Sequence, residues 1–339
     1  MQYLYTLTST PDDNYYEQFL LSITSLKIQM PDAEIVLLCD TKTKETLTDK
    51  RKEYKNFVLK TITADSPPDY SQIEISRWIK TSMRRLVEGD FLFIDCDTVI
   101  TDDLSSVVKE NKIFAACLDK HTYIKKHSKS DFIIQNDKKL GFSSYLSDKH
   151  FNSGVIFCAD KPETHKIFNR WHELWLFSKR KNILRDQPAF NMAIHENISF
   201  FSELDGTWNC QIAFNGLPYL SDSKIIHYFS TDLVFNESPF IPANIEIFKN
   251  IKNSGSIPDN VLKLIKNSRS AFSSESQIIA GKEILFVVNS SLFQLIYLLK
   301  IKLPFLFNFL NCLCSFFKKT AKNSIIKNTK KTGKSRLYN

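Results

Sequence analysis

Residues Phe91 to Ile100 read FLFIDCDTVI, four apolar residues running directly into two carboxylates one residue apart. Phe91 to Ile94 are aromatic or branched and follow Gly89-Asp90, the pattern of a buried strand. Asp95 and Asp97 then fall at the carboxyl end of that strand, where open α/β sheets hold their ligands. Two hard oxygen donors this close suit Mg²⁺ or Mn²⁺ beside substrate phosphates.

The residues before this stretch set its context. Gln2 to Thr8, Glu34 to Cys39 and Phe57 to Ile62 read as strands. Between them, Asn14 to Met30 has Phe19, Ile23, Leu26 and Met30 at helical spacing, and Lys42 to Tyr54 reads as a second helix. Strands alternating with helices predict a mostly parallel, doubly wound sheet. Pro67-Pro68 marks a loop, and Ser71 to Val87 reads as the helix that feeds the carboxylate strand. Arg77, Lys80 and Arg84 share one face of it. They form either a solvated basic face or a set of cations within reach of a diphosphate.

Beyond the carboxylates, Asp102-Asp103 reads as a helix start and Ile113 to Leu118 as a strand, while His121 to Lys139 is polar and irregular, as a mobile loop over a cleft would be. Asn152-Ser153-Gly154 abuts the apolar Val155 to Cys158. Asn and Ser offer donors and acceptors, and Gly permits close backbone approach, as a sugar ring requires. Thr164 to Lys179 reads as a helix whose Trp171 and Trp175 belong to the core. Asp186-Gln187-Pro188 opens another helix, with Asp186 either a plain N-cap or a functional carboxylate. Lys224 to Ile226 runs into His227, an imidazole at a strand end that is either structural or a third metal ligand.

Composition excludes some classes. The 45 cations fall to 37 without the eight between Lys318 and Arg336, and so equal the 37 acids. The whole net charge of +8 therefore sits in the tail, which argues against a nucleic-acid-binding body. Seven cysteines without paired CxxC spacing indicate reduced thiols. Met1 to Thr10 lacks the basic and apolar regions of a signal peptide, so a cytoplasmic location is expected. Asn244 to Lys252 and Asp259 to Asn267 read as short helices, followed by apolar stretches of 16 residues (Ile284 to Leu299) and 15 residues (Leu303 to Phe317). A span needs about 20 apolar residues, so apolar helices ahead of a cation cluster predict peripheral binding to an anionic membrane at its inner face. A kinked hairpin dipping into the bilayer and a helix pair completing a soluble core are the alternatives.

Taken in order, the N-terminal strand, the Arg-bearing helix, Asp95-Cys96-Asp97, Asn152-Ser153-Gly154, Asp186-Gln187 and His227-Tyr228 resemble the GT-A glycosyltransferases, and family 8 most closely, over about residues 1–232. The resemblance implies a Rossmann-like α/β GT-A domain over residues 1–232; the patterning beyond it reads as a helical region over 233–283 and a membrane-association tail over 284–339. It implies transfer of a sugar from a nucleotide-sugar donor, a UDP-hexose, to a glycan or lipid-linked acceptor in cell-surface polysaccharide synthesis, with the anomeric configuration retained. Asp95, Asp97 and His227 would hold Mn²⁺ or Mg²⁺. Arg77, Lys80, Asn152, Ser153 and Gly154 would line the donor site, and Thr8, Asn14 and Tyr15 would grip base and ribose. Asp186 would hold the donor sugar's hydroxyls, and Gln187 would lie close to the anomeric carbon. The sequence departs from the family in two places. The glycine and diphosphate-binding lysine that follow the late histidine in many members are missing from Tyr228 to Asp232, and Pro188 replaces an acidic residue after Asp-Gln. Either another cation, such as Lys80, takes that role or the metal acts alone. For an inverting enzyme, Glu203 and Asp205 are available as the acceptor-side base.

Two other classes compete. A phosphohydrolase of the haloacid dehalogenase type would use Asp95 as nucleophile and Asp97 as general acid, but several elements precede the motif, the glycine that normally follows the second Asp is absent, and no later paired-aspartate metal motif is evident. The other is a membrane-bound scaffold with an inactive transferase domain.

Overall fold

The computed structural model describes residues 1–110, 112–228, 244–269 and 290–317, and the chain divides into two units, Met1–Ile279 and Ala280–Asn339. The basic tail after residue 317, the residues after Tyr228 where the family lysine would lie, and parts of the 233–283 region fall outside the described residues.

The first unit is built on a seven-stranded sheet. Its strands are β1 (Gln2–Leu7), β2 (Ile35–Cys39), β3 (Val58–Thr63), β4 (Phe91–Ile94), β6 (Phe114–Leu118), β7 (Phe151–Cys158) and β8 (Phe201–Leu204), in the spatial order β3-β2-β1-β4-β7-β6-β8. Every neighbouring pair is parallel except those of β7, which runs against both β4 and β6. β2, β4 and β7 are buried along their whole length, which explains their unbroken apolar runs. A smaller sheet, ordered β5-β10-β9, comprises β5 (Thr98–Ile100), β9 (Cys210–Gln211) and β10 (Ile225–His227).

Helix α1 (Tyr15–Gln29) is buried from Tyr16 to Leu26, which accounts for its mixed sequence pattern: it has little solvent face. Its polar residues tie the two sheets together. Ser22 Oγ lies 2.8 Å from Thr98 Oγ1 and 3.1 Å from the Tyr5 hydroxyl, and Ser25 Oγ accepts from the Ile100 amide at 2.8 Å. The segment after Asp97 is thereby fixed against the core.

Lys42 to Tyr54 does not form one helix. A short α2 (Thr41–Thr46) starts on the Asp40 side chain, and two 3-10 turns follow. α3 (Gln72–Leu86) starts on a Ser71–Glu74 capping box, a device that contributes about 1 kcal/mol. The segment expected to be a mobile loop is ordered: 3-10 turns lead into α4 (Ser130–Leu140), closed by Gly141 at φ +73°. Phe132, Ile133 and Asn136 stand at helical spacing in it, but the surrounding lysines and acids mask the period.

α5 (Pro162–Arg180) and α6 (Gln187–Glu196) cover one face of the sheet. Trp171 and Trp175 are fully buried, and their indole N–H groups donate to the Asp186 and Leu184 carbonyls at 3.2 and 3.0 Å. The core itself thus holds the chain that leads into α6. α7 (Ile245–Ser254) and α8 (Asp259–Lys266) pack their buried faces on the cluster around α1. All seven cysteines are free thiols.

In the second unit, one helix spans Ser291–Lys302 and another spans residues 304–317. Large apolar side chains on both are exposed, among them Leu292, Leu298, Phe305, Phe309, Phe316 and Phe317. No described helix is long and apolar enough to cross a membrane.

Candidate active site

Strand register brings the two carboxylates, the late histidine and Asn152-Ser153-Gly154, which lie within β7 and form no turn, to one point. β4 and β7 pair Ile94 with Val155, so the next backbone bond runs from the Asp95 amide to the Gly154 carbonyl at 2.8 Å. β5 and β10 pair Thr98 with His227, and the Tyr228 amide donates to the Asp97 carbonyl at 3.0 Å. One ligand atom from each of Asp95, Asp97 and His227 lies within 4.8 Å of the others.

The surroundings orient these groups. His227 Nδ1 meets Asn209 Oδ1 at 3.0 Å, which directs Nε2 toward Asp97 Oδ1, also at 3.0 Å. Burial lowers the imidazole's pKa, but the charge and hydrogen bond of Asp97 together with the charge of Asp95 lift the group above its ordinary value. Burial pushes the Asp95 carboxyl up; Lys80 opposes the shift and Asp97 adds to it. Lys80 is only 4% exposed, and its ammonium lies 3.0 and 3.2 Å from the two Asp95 oxygens. A Cβ on Gly154 would stand 2.5 Å from His227 Cε1 and 2.9 Å from Asp95 Oδ2, so only glycine leaves this cradle open. Two carboxylates and an imidazole of fixed orientation fit a hard divalent cation such as Mn²⁺ or Mg²⁺.

A cleft of about 430 Å³ opens from this point. Thr8, Tyr15, Arg77, Lys80, Asn152, Ser153, Gly154, Asp186 and Gln187 all line it together with Asp95, Asp97 and His227. Asp186 is buried and makes no cap bond to its helix. Instead Arg77 Nε lies 3.0 Å from Asp186 Oδ1, and Ser153 Oγ donates to Oδ2 at 3.1 Å. Burial would raise this carboxyl, but Arg77 and then Lys80 hold it below its ordinary value, as an ionised acceptor. Arg84 differs from its two neighbours on α3: it is 1% exposed and donates to the Gly89 and Val87 carbonyls at the foot of the sheet. Asn14 does not line the cleft. Asp13 organises that turn, accepting from Ser9, Thr10, Tyr15 and Gln72. Glu203 pairs with Lys149 at 2.7 Å and Asp205 caps the Thr207 amide at 2.9 Å, and neither lines the cleft.

Three polar residues that sequence reasoning passed over belong to the site. Asp119 follows β6 as Asp95 follows β4, a signal present in the sequence. Its Oδ1 accepts from Asn152 Nδ2 at 2.8 Å and its Oδ2 meets His127 Nε2 at 2.9 Å, while His127 Nδ1 accepts from the Lys129 amide. Burial would raise Asp119, but the His127 bond and the nearby His150 and Asn152 hold it at about 2. Asn209 joins this network to His227, donating from Nδ2 to Asn152 Oδ1 at 2.9 Å.

The family model for glycosyl transferase family 8 matches residues 7–232. The chain belongs to this family. It is a glycosyltransferase of the GT-A fold, and Asp95-Cys96-Asp97 is read in that setting rather than as a phosphohydrolase nucleophile and acid. Among solved structures, the family 8 chain resembles the apo form of the bifunctional glycosyltransferase WbbM, with 16% identity and a TM-score of 0.50 over 78% of this chain and 51% of that one. The family 8 chain therefore spans about half of WbbM. Mouse xyloside xylosyltransferase 1 has 13% identity and a TM-score of 0.48, with 67% and 97% of the two chains covered. Galactosyltransferase LgtC, solved with donor and acceptor sugar analogs, has 14% identity and a TM-score of 0.47, with 78% and 100% covered. At these identities the likeness is one of fold. Among curated proteins no sequence match is found.

Proposed function

We propose that this family 8 enzyme transfers a hexose from UDP to a glycan or lipid-linked acceptor in cell-surface polysaccharide synthesis, with retention of anomeric configuration and with Mn²⁺ or Mg²⁺ held by Asp95, Asp97 and His227. The observation that carries the reading is the meeting of this three-ligand cradle with the Arg77–Asp186 pair in one cleft at the carboxyl edge of the sheet. When bound, the cation stabilises the negative charge that develops on the departing diphosphate.

The chain's own groups divide the remaining work. Arg77 and Lys80 place two further cations beside the diphosphate, and Lys80 takes the part of the lysine that the family carries after its histidine. Asp186, kept ionised, accepts from hydroxyls of the donor sugar, while Ser153 and the Gly154 backbone line its ring. Gln187, the first residue of α6, faces the anomeric carbon across the cleft. The carboxylates lining the described cleft are Asp95, Asp97, Asp119 and Asp186, and each is paired. Glu203 and Asp205 lie outside it. This arrangement favours front-face attack, in which a diphosphate oxygen takes the acceptor's proton, over an inverting base.

The exposed apolar helices over Ser291–Lys302 and 304–317, followed by eight cations, support attachment of the enzyme to an anionic membrane face where lipid-linked acceptors reside. A screen of UDP-sugars for Mn²⁺-dependent hydrolysis identifies the donor, and proton NMR of the first-formed product reads its anomer. Retention of configuration is expected, as is loss of turnover in Gln187→Ala with UDP binding intact. An inverted product would rule out the retaining mechanism, and no turnover with any nucleotide sugar would favour the inactive scaffold.

A further inference from the structure

We infer that the far end of the cleft is an acceptor subsite built for an anionic saccharide, one whose sugar carries a phosphate or a carboxylate; the inference rests on the donor-site reading above. The edge of the sheet fixes the direction. In the order β1-β4-β7-β6, the residues met at this edge are Thr8, then Asp95, then Asn152 and Ser153, then Asp119 and Lys120. Three strand spacings, about 14 Å, separate the nucleotide end from the Lys120 end. A donor laid from Thr8 to Asp186 leaves the Lys120 end for the acceptor.

That end is specifically shaped. Lys120 and His121 are consecutive left-handed residues, at φ +54° and +48°, a strained conformation for side chains bearing a Cβ. Gln211 and Asn215 hold them in place. The Lys120 amide donates to Gln211 Oε1 at 2.7 Å, Asn215 Nδ2 donates to the Lys120 carbonyl at 3.0 Å, and the Gln211 amide donates to His121 Nε2 at 3.1 Å. The result sets the Lys120 ammonium over the Phe214 ring at 3.8 Å, on the cleft wall.

α4 supplies more of the lining beside it, where Lys120 Nζ donates to Ser128 Oγ at 3.2 Å. Lys129, Phe132, Ile133 and Asn136 line the cleft at spacings of three, four and seven residues, one helical face. Phe132 is 47% exposed, and the Arg185 guanidinium lies 5.5 Å over its ring. An aromatic face for the apolar side of a sugar, an amide for its hydroxyls and cations around them form a complete saccharide subsite with a positive rim. Among the described residues, the ion pairs of the cleft join Arg77 to Asp186, Lys80 to Asp95, His127 to Asp119 and His227 to Asp97, and none of them uses Lys129 or Arg185. Asp119, the carboxylate at this end, already accepts from Asn152 and pairs with His127. The charge left to meet an incoming ligand is positive.

The test is calorimetric titration of the full chain, saturated with UDP and Mn²⁺ so that the diphosphate position is filled. The titrants are glucose, glucose 6-phosphate and glucuronate at low ionic strength. At least one anionic sugar should bind about tenfold or more tightly than glucose, with the advantage shrinking as salt is added. The stronger of the two anions names the group recognised. The advantage should vanish in Lys129→Glu/Arg185→Glu, whose fold is checked by melting temperature and UDP titration. Equal binding of all three sugars, or an advantage that survives the double variant, overturns the subsite. Failure of UDP itself to bind would instead strike at the donor-site reading, so the two failures are separable.

Discussion

Asn209 makes no contact with a substrate in the proposed mechanism, yet it fixes which nitrogen of His227 faces the two carboxylates. Groups that orient a metal-binding histidine typically carry a 10–100-fold effect on affinity. Asn209→Ala should therefore weaken Mn²⁺ binding by about that factor, read as free Mn²⁺ by electron paramagnetic resonance; unchanged affinity would remove Asn209 from the site. The same histidine sets a pH dependence. Its pKa lies above the ordinary value, so a proton competes with the metal for Nε2 at higher pH than at a free imidazole. Apparent Mn²⁺ affinity should climb as pH rises through that raised pKa and level off above it. In the metal-free protein the sign is opposite: the Asp97–His227 pair stabilises the fold at low pH and loses that contribution as pH rises through the same value. Asp95 and Asp97 are legible in the sequence because an apolar strand points at them. Asn209 is not, because its role arises from the β9–β10 register, which pairs Ile226 with Cys210.

At the level of elements, α4 carries the clearest consequence. Asp137 lies on its buried face with no exposed surface, accepting from Ser144 Oγ at 2.6 Å, and burial raises its carboxyl to about 6. A carboxyl raised on folding contributes stability below its unfolded value, near 4, and loses it as pH rises through about 6. Replacing it with an isosteric amide removes that loss. Asp137→Asn should thus raise the melting temperature at pH 8, by up to about 3 kcal/mol of stability, and leave it nearly unchanged at pH 4. An equal shift at both pH values would contradict the assignment. α4 also shows where sequence reading stops. Its lysines and acids hide a face set by tertiary contacts with α6, whereas β2, β4 and β7 are plain in the sequence because both their faces are buried. The cationic face of α3 is legible, but its division between site and foundation is not: Arg77 and Lys80 enter the cleft, while Arg84 is spent on the backbone below.

At the scale of the whole molecule, charge segregation is read directly from composition: a neutral body and a cationic tail. Where the body ends is a matter of packing. α8 buries Val261 and Ile265, and Arg269 reaches Asp102 at 2.9 Å, so the body needs its residues through 269. A chain ending there should stay folded but no longer sediment with anionic vesicles, since each basic residue near such a surface contributes about 1 kcal/mol. Sedimentation equal to that of the full chain would refute membrane attachment through the tail. If Asp95, Asp97 and His227 form a metal-dependent donor site, UDP binding depends on the metal, and calorimetric titration with UDP reads that dependence. The titration is run with Mn²⁺ and with EDTA, on the wild type and on Asp97→Ala. Binding should require Mn²⁺ and be lost in the variant. UDP binding of equal strength in EDTA, or undiminished in Asp97→Ala, would contradict it.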